Sequence, residues 1–381
     1  DFKINDTSLY IFARSNATIL IDTGGRNVSS INIFASGHSL VEIHGGFQSL
    51  HIEAYEASTI ILSGYAGSST LYAYNNSLIM MEDCMLNGLS IYMYGASILV
   101  MNSCECIYEI SNDIYAYQNS TLNISNSNIS SATINGYDSS HIGMYKTDIG
   151  TIELNDRSYL YFFRGAIFSL YAYSESTFSI LNAIVSSIYM YMESSYELST
   201  PGPTGNVENA SVGTLYTESG NLVYISSSEI MYLEYSDVHD GDVNITGGTV
   251  QSSSYHPNYQ SYGSVIHSAS TTSTIVLVGA SYVWVNDSVY INAYETDLIN
   301  ITYGNVDIYA TRTNIIGSGI STSNMNLNLY SSSLTFVNDT FNSLNIDGGS
   351  TNVTLLSTYV NSSYIYLREG SRLGILYSYI D

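Results

Sequence analysis

The stretch Leu71-Tyr72-Ala73-Tyr74-Asn75-Asn76-Ser77-Leu78-Ile79-Met80 is answered twenty residues later by Ile91-Tyr92-Met93-Tyr94-Gly95-Ala96-Ser97-Ile98-Leu99-Val100. In both copies an apolar–x–apolar run carrying Tyr leads into a small polar turn and then a second apolar run. The first run alternates with period two, the spacing of a strand and not of a helix. Its first and third residues therefore share an inward face. Tyr72, Tyr74, Tyr92 and Tyr94 share the outward one.

The pattern recurs at Leu9-Tyr10-Ile11-Phe12, Ile31-Asn32-Ile33-Phe34, Ile114-Tyr115-Ala116-Tyr117, Leu170-Tyr171-Ala172-Tyr173 and Ile188-Tyr189-Met190-Tyr191. Late copies are Val289-Tyr290-Ile291, Val306-Asp307-Ile308-Tyr309, Leu327-Asn328-Leu329-Tyr330 and Leu344-Asn345-Ile346-Asp347. A unit of about 20 residues cannot bury its own apolar face, whereas stacked units bury a continuous core. The expected fold is all-β: a parallel β-helix, or β-solenoid, of about 18 coils of roughly 20 residues, forming a single domain over 1–381. An antiparallel sandwich would carry more hairpin signals than Asn87-Gly88, Asn135-Gly136, Asp240-Gly241 and Asp347-Gly348 supply. A propeller would need a longer blade signature, which is absent.

Two stretches break the rhythm. Residues 199–213 hold Pro201 and Pro203, and residues 236–264 hold Pro257. Both read as loop excursions, and loops on a solenoid are where partners bind.

The repeat makes a testable statement about cysteine. Cys84 follows Ser77 by seven residues, and Cys104 follows Ser97 by seven. A 20-residue coil would stack the two at the interstrand spacing of about 4.8 Å, within disulfide reach. A Cys84–Cys104 bond is the expectation, with Cys84–Cys106 or three free thiols as alternatives.

Charged residues make up 11% of the 381 and the net charge is −24. Such a polyanion repels nucleic acid and anionic membrane and attracts cations. No apolar run is long enough to span a bilayer. Fourteen Asn-x-Ser/Thr acceptors occur, at Asn5, Asn16, Asn27, Asn75, Asn119, Asn123, Asn128, Asn209, Asn244, Asn286, Asn300, Asn338, Asn352 and Asn361. They point to N-linked glycans and an extracellular or cell-surface location.

Little else carries chemistry. Asp237, Asp240 and Asp242 flank Gly241 and form the one dense acidic cluster, a candidate Ca²⁺ site without the spacing of an EF-hand loop. No cofactor is otherwise expected. His38, His44, His51, His141, His239, His256 and His267 lack zinc-ligand spacing with the cysteines and read as surface or turn residues.

The repeat resembles the pectin-lyase-like parallel β-helix superfamily in architecture along the whole chain. Many members of that superfamily cleave acidic polysaccharides, and the resemblance implies the coil, not the activity. Its lyases use Ca²⁺ with Arg or Lys, and here the cations Lys3, Arg14, Arg26, Lys146, Arg157, Arg164, Arg312, Arg368 and Arg372 are dispersed. The hydrolase elements Asp-Asp, Gly-His-Gly and Arg-x-Lys are missing, and Gly37-His38-Ser39 matches the second only in part.

The sequence repeats from its first ten residues through Ser378-Tyr379-Ile380-Asp381 without a capping segment. The expectation is therefore a structural subunit of an extracellular fibre, sheath or surface layer, a homopolymer joined head to tail. The alternative is an adhesin stalk that binds a glycan or receptor, and a polysaccharide-degrading enzyme comes last.

Overall fold

Alternation of buried and outward residues is what the strands realise. In Leu89–Tyr94 the inward Leu89, Ile91 and Met93 are buried, while Ser90, Tyr92 and Tyr94 are only half-buried. The structure, a computed structural model, describes residues 8–106, 112–191, 202–218, 221–236, 242–246, 249–255, 274–278, 282–283, 289–294, 297–299, 306–312 and 314–380. Among them are strands and turns and no helix. The fold is a parallel β-solenoid of about 14 turns. The expectation is about 18 coils of roughly 20 residues, and the steps between rungs prove uneven. Ile134 to Ile152 is a short step and Ile91 to Ile114 a long one. From Asp242 to its partner Thr274 the step is longer still.

The chain divides into two compact units, residues 1–186 and 187–381. In the first, one inward column runs Ile33, Ile52, Leu71, Ile91, Ile114, Ile134, Ile152, Leu170, each residue paired with the next in parallel register. All eight are fully buried. A second ladder carries Ile43, Leu62, Met81, Met101, Ile124, Met144 and Phe162 in the same way. Burying a side chain of this size contributes about 1.5–3 kcal/mol. The columns, not the weak intrinsic preference of any strand, therefore hold the coils together.

The second unit repeats this logic. Residues 204–208, 222–226, 242–246 and 274–278 form one run of parallel pairings. The run continues through 289–294 to 306–311, 325–330, 344–349 and 363–368. A separate five-stranded sheet ends on Asn352–Leu356 and Arg372–Leu376. Within the two stretches read as excursions, Thr204–Glu208, Ser211–Glu218, Asp242–Thr246 and Thr249–Tyr255 are strands. Residues 192–201, 237–241 and 256–273 lie outside the described residues.

Two kinds of corner turn the coil. At the first, the residue after the outer tyrosine takes a left-handed backbone, as at Glu56, Asn75, Gln118, Asp138 and Ser174. The serine two positions later closes the turn. Ser58 N donates to Tyr55 O (3.2 Å), Ser77 N to Tyr74 O (3.2 Å) and Ser140 N to Tyr137 O (3.2 Å). Short polar side chains tolerate this backbone and so recur there. At the second corner, Asp83, Ser103, Asn126, Lys146, Asn209 and Ser227 are left-handed. The residue after each of these points inward. Gly165 belongs to this series: a Cβ there would lie 2.1 Å from the carbonyl oxygen of Thr147, so only glycine fits.

Candidate functional site

The outward positions form two aromatic columns in the first unit, as the alternation predicts. Tyr72, Tyr92 and Tyr115 stack with centroids 5.0 and 5.1 Å apart. Tyr55, Tyr74, Tyr94, Tyr117 and Tyr137 stack at 4.8, 5.2, 5.1 and 4.9 Å. Their planes lie within about ten degrees of parallel, 4° for Tyr94–Tyr117. Parallel strands place identical residues one interstrand spacing apart, which is also a favourable stacking distance. The geometry decides what the columns can offer. Ring faces are occupied by the rings above and below, so the outer surface receives ring edges and hydroxyls. A ligand that needs a bare ring face, such as a sugar, finds none within the stack.

Electrostatics follow the stacking. Burial against the neighbouring rings pushes the phenols of Tyr74, Tyr94, Tyr117 and Tyr137 up. For Tyr115, burial acts first and Asp113 second. Tyr55 donates to Glu53, which pushes its pKa up to about 12 and Glu53 down. These phenols stay protonated through the physiological range.

The register that stacks Cys84 on Cys104 is the one observed, since Met85 pairs Glu105 and Leu86 pairs Cys106. The expected bond is nonetheless not formed: Cys84, Cys104 and Cys106 are free thiols in the structure. The reason is the corner they occupy. Cys104 Sγ donates to Asn102 O (3.4 Å) and Met81 O (3.5 Å), and Cys84 Sγ to Leu62 O (3.4 Å) and Glu82 O (3.5 Å). Ser127 does the same one coil on, donating to Ser125 O (2.7 Å) while accepting from Cys104 N (3.0 Å). Thr147 follows with Tyr145 O (3.2 Å), and Ser228 with Ser226 O (2.8 Å). The thiols thus hold hydroxyl positions in a structural column. The contact with Cys104, then burial, pushes the Cys84 thiol up, the same contact pulls Cys104 down, and burial pushes Cys106 up to about 12. Cys84 and Cys106, held as thiols, are poor nucleophiles. The spacing from Cys84 through Cys104 to Ser127 and Thr147 was a signal of this role, one that an unequal coil length hid.

Nine sequon asparagines have a described exposure: Asn16, Asn75, Asn119, Asn123, Asn128, Asn209, Asn338, Asn352 and Asn361. All nine are exposed. The buried asparagines Asn112, Asn135 and Asn221 all lie outside sequons. Asn27 and Asn244 lie in strands, at Thr18–Val28 and Asp242–Thr246. Asn5, Asn286 and Asn300 fall outside the described residues.

Asp237 and Asp240 of the acidic cluster also fall outside them, and Asp242 begins the strand Asp242–Thr246. Among the described residues no group of three or more His, Cys, Asp or Glu gathers to hold a metal, and no helix is long and apolar enough to cross a membrane. His44 pairs with Glu42 (2.8 Å) and His51 with Glu53 (3.1 Å), both part-exposed on outward positions.

Against known proteins, the chain matches no family model and no curated sequence. The resemblance to pectin-lyase-like β-helices is therefore one of architecture.

Proposed function

We propose that this protein is a structural subunit of an extracellular glycoprotein assembly, a fibre, sheath or surface layer, and not an enzyme. The observation that carries the reading is the distribution of asparagine. All nine sequon asparagines with a described exposure face solvent, and among the described residues the buried asparagines lie outside sequons. Glycans attached at these positions would coat the coil without entering its core, on turns such as Asn75 and Asn338 and on outward strand positions such as Asn123 and Asn352. The closed tyrosine columns add a stiff, protonated, weakly charged surface along the first unit. A parallel ladder is open along its axis by construction, because each rung offers unpaired backbone to another of its kind. Head-to-tail growth of a homopolymer is the assembly that uses this.

Two measurements test it together. Peptide mass spectrometry of native material is expected to find N-glycans at most of the nine exposed positions. Electron microscopy is expected to show unbranched fibres or sheets. Bare asparagines throughout, or dispersed single particles at high concentration, would overturn the reading. An adhesin stalk is the second reading. It is favoured by one observation: the outer columns of the second unit are interrupted around Tyr330.

A further inference from the structure

In the second unit two neighbouring outer columns mix tyrosine with other residue types. One runs Tyr309, Asn328, Asp347, Tyr366 and the other Thr311, Tyr330, Gly349, Arg368, paired rung by rung. The position after Tyr330 is glycine, so no ring follows it in the column. Tyr330 keeps 55% of its surface exposed, and among the described residues no second ring stacks on it. A hollow of about 380 Å³ opens there, floored by the buried Ala310 and Leu329 and walled by Tyr309, Tyr330, Arg368 and Glu369. Gly349 keeps it open. A Cβ at that position would sit 3.3 Å from both Glu369 Oε2 and a Tyr330 ring carbon, Cδ2.

Polar groups converge on the hollow from three rungs. Arg368 Nη2 donates to Asp347 Oδ1 (3.1 Å) and Oδ2 (3.3 Å), and its guanidinium lies 5.7 Å from the centre of the Tyr366 ring. Both contacts hold the arginine in place, so Asp347 presents its remaining lone pairs in a fixed direction. Asn328, on the rung below Asp347, adds an amide that both donates and accepts.

We infer that this hollow is a binding site for one residue of a neutral pyranose sugar, stacked on Tyr330 and hydrogen-bonded by Asp347, Asn328 and Arg368. A pyranose has an aliphatic face, which suits an exposed aromatic ring, and an equator of adjacent hydroxyls, which suits a carboxylate beside an amide and a guanidinium. The volume lies at the small end of ligand sites, enough for one or two sugar rings. Asp347 and Glu369 outnumber Arg368, so a uronate is disfavoured. The site does not depend on the subunit reading. Fibres without sugar binding, or sugar binding without fibres, would separate the two.

The test is saturation-transfer NMR on the full chain with four probes: methyl α-mannoside, methyl β-glucoside, methyl β-galactoside and methyl β-glucuronide. Transfer from aromatic protons to at least one neutral glycoside is expected. It should fall tenfold or more in both Tyr330→Ala and Gly349→Tyr, and persist in Tyr330→Phe and in Tyr161→Ala, an exposed ring elsewhere. Circular dichroism matching the parent confirms that each variant keeps its strands. Two independent variants guard against a local folding defect in one. Absence of transfer to all three neutral glycosides overturns the proposal. So does binding that survives Tyr330→Ala, or preference for the glucuronide.

Discussion

The outer tyrosine columns of the first unit are closed, and the outer column through Tyr330 in the second is open. From Tyr74 to Tyr137 each ring covers the next at 4.9–5.2 Å. The column through Tyr330 reads Thr311, Tyr330, Gly349, Arg368. Both columns stand on parallel ladders, and they differ in the side chains that each ladder repeats. A column of identical aromatics satisfies itself and leaves a surface of edges. A column that changes residue type at each rung leaves rings, charges and gaps with unused valence. In a solenoid, chemistry is therefore to be sought where the outer repeat fails and not where it is most regular.

The comparison predicts unequal losses. Tyr94→Ala removes a half-buried ring stacked on both sides and is expected to cost about 3 kcal/mol, from lost burial and two stacks. Tyr330→Ala removes a ring without such neighbours and should cost under about 1 kcal/mol. Repeat coils open locally, so native-state hydrogen exchange of 89–94 and of 325–330 reads each loss in place. Equal effects would mean that stacking contributes nothing and that the closed column reflects strand preference alone.

A second contrast lies at the corners. Where the first unit places Cys84, Cys104, Ser127 and Thr147, the second places Asp339 in one corner and Thr358 one coil on. Asp339 is 1% exposed and accepts from Ile320 N (2.6 Å). Burial raises its pKa to about 6 despite the backbone donors around it. A carboxyl that titrates higher in the folded than in the unfolded chain binds its proton more tightly when folded. Its stabilising contribution is full below about pH 4 and is lost as pH rises through 6. Asp339→Asn keeps the acceptor for Ile320 and removes the ionisation. It should leave stability unchanged near pH 4 and raise it by about 2 kcal/mol at pH 8. Thermal melts across that range, followed by exchange at 333–337, check it, and a benefit already complete at pH 4 would break the assignment.

What the sequence made legible was whatever repeats every coil. Ile91 inward and Tyr92 outward follow from period two. The stacking of Cys84 over Cys104 follows from Ser77 and Ser97 lying twenty residues apart. What stayed hidden needed either the third dimension or a variable step. That Tyr94 shows its edge and not its face is a matter of ring direction, which alternation does not encode. That Cys104 and Ser127 share one column is masked by a step of 23 residues, and the disulfide expectation arose from seeing two cysteines without the hydroxyls that continue their series. The hollow at Tyr330 draws on residues from Tyr309 to Glu369, each unremarkable in its own copy of the repeat. Arg368 was visible only as one of nine scattered cations.

The cysteine column sharpens this at smaller cost. If Cys84 serves as a corner donor, Cys84→Ser substitutes one donor for another and should shift stability by under about 1 kcal/mol, as hydrogen-bond exchanges do. Reductant should leave the melting curve of the parent unchanged. Alkylation without reductant should label all three cysteines after unfolding and none before. A bridge closing a loop of this length would instead contribute roughly 3 kcal/mol, and reductant would remove it.

The smallest effect concerns the other corner. Ser58, Ser77, Ser97, Ser120, Ser140, Ser158 and Ser176 are all fully buried, and their hydroxyls find no protein partner. Their neighbours at the second corner, Ser127 and Ser228, bond to backbone carbonyls. Two serine series in one coil thus differ only in whether the hydroxyl is used. The first is held for its size and its turn-forming backbone, since Ser77 N closes the turn on Tyr74 O whatever its side chain does. Replacing an unpaired buried hydroxyl with a methyl removes a desolvated polar atom and loses nothing in shape. Ser77→Ala should therefore match or slightly exceed the parent in stability, within about 0.5 kcal/mol. Ser127→Ala should cost about 1–2 kcal/mol, because it strands the N–H of Cys104. Losses of equal size at both positions would show that the inner series is bonded after all, through water held inside the coil.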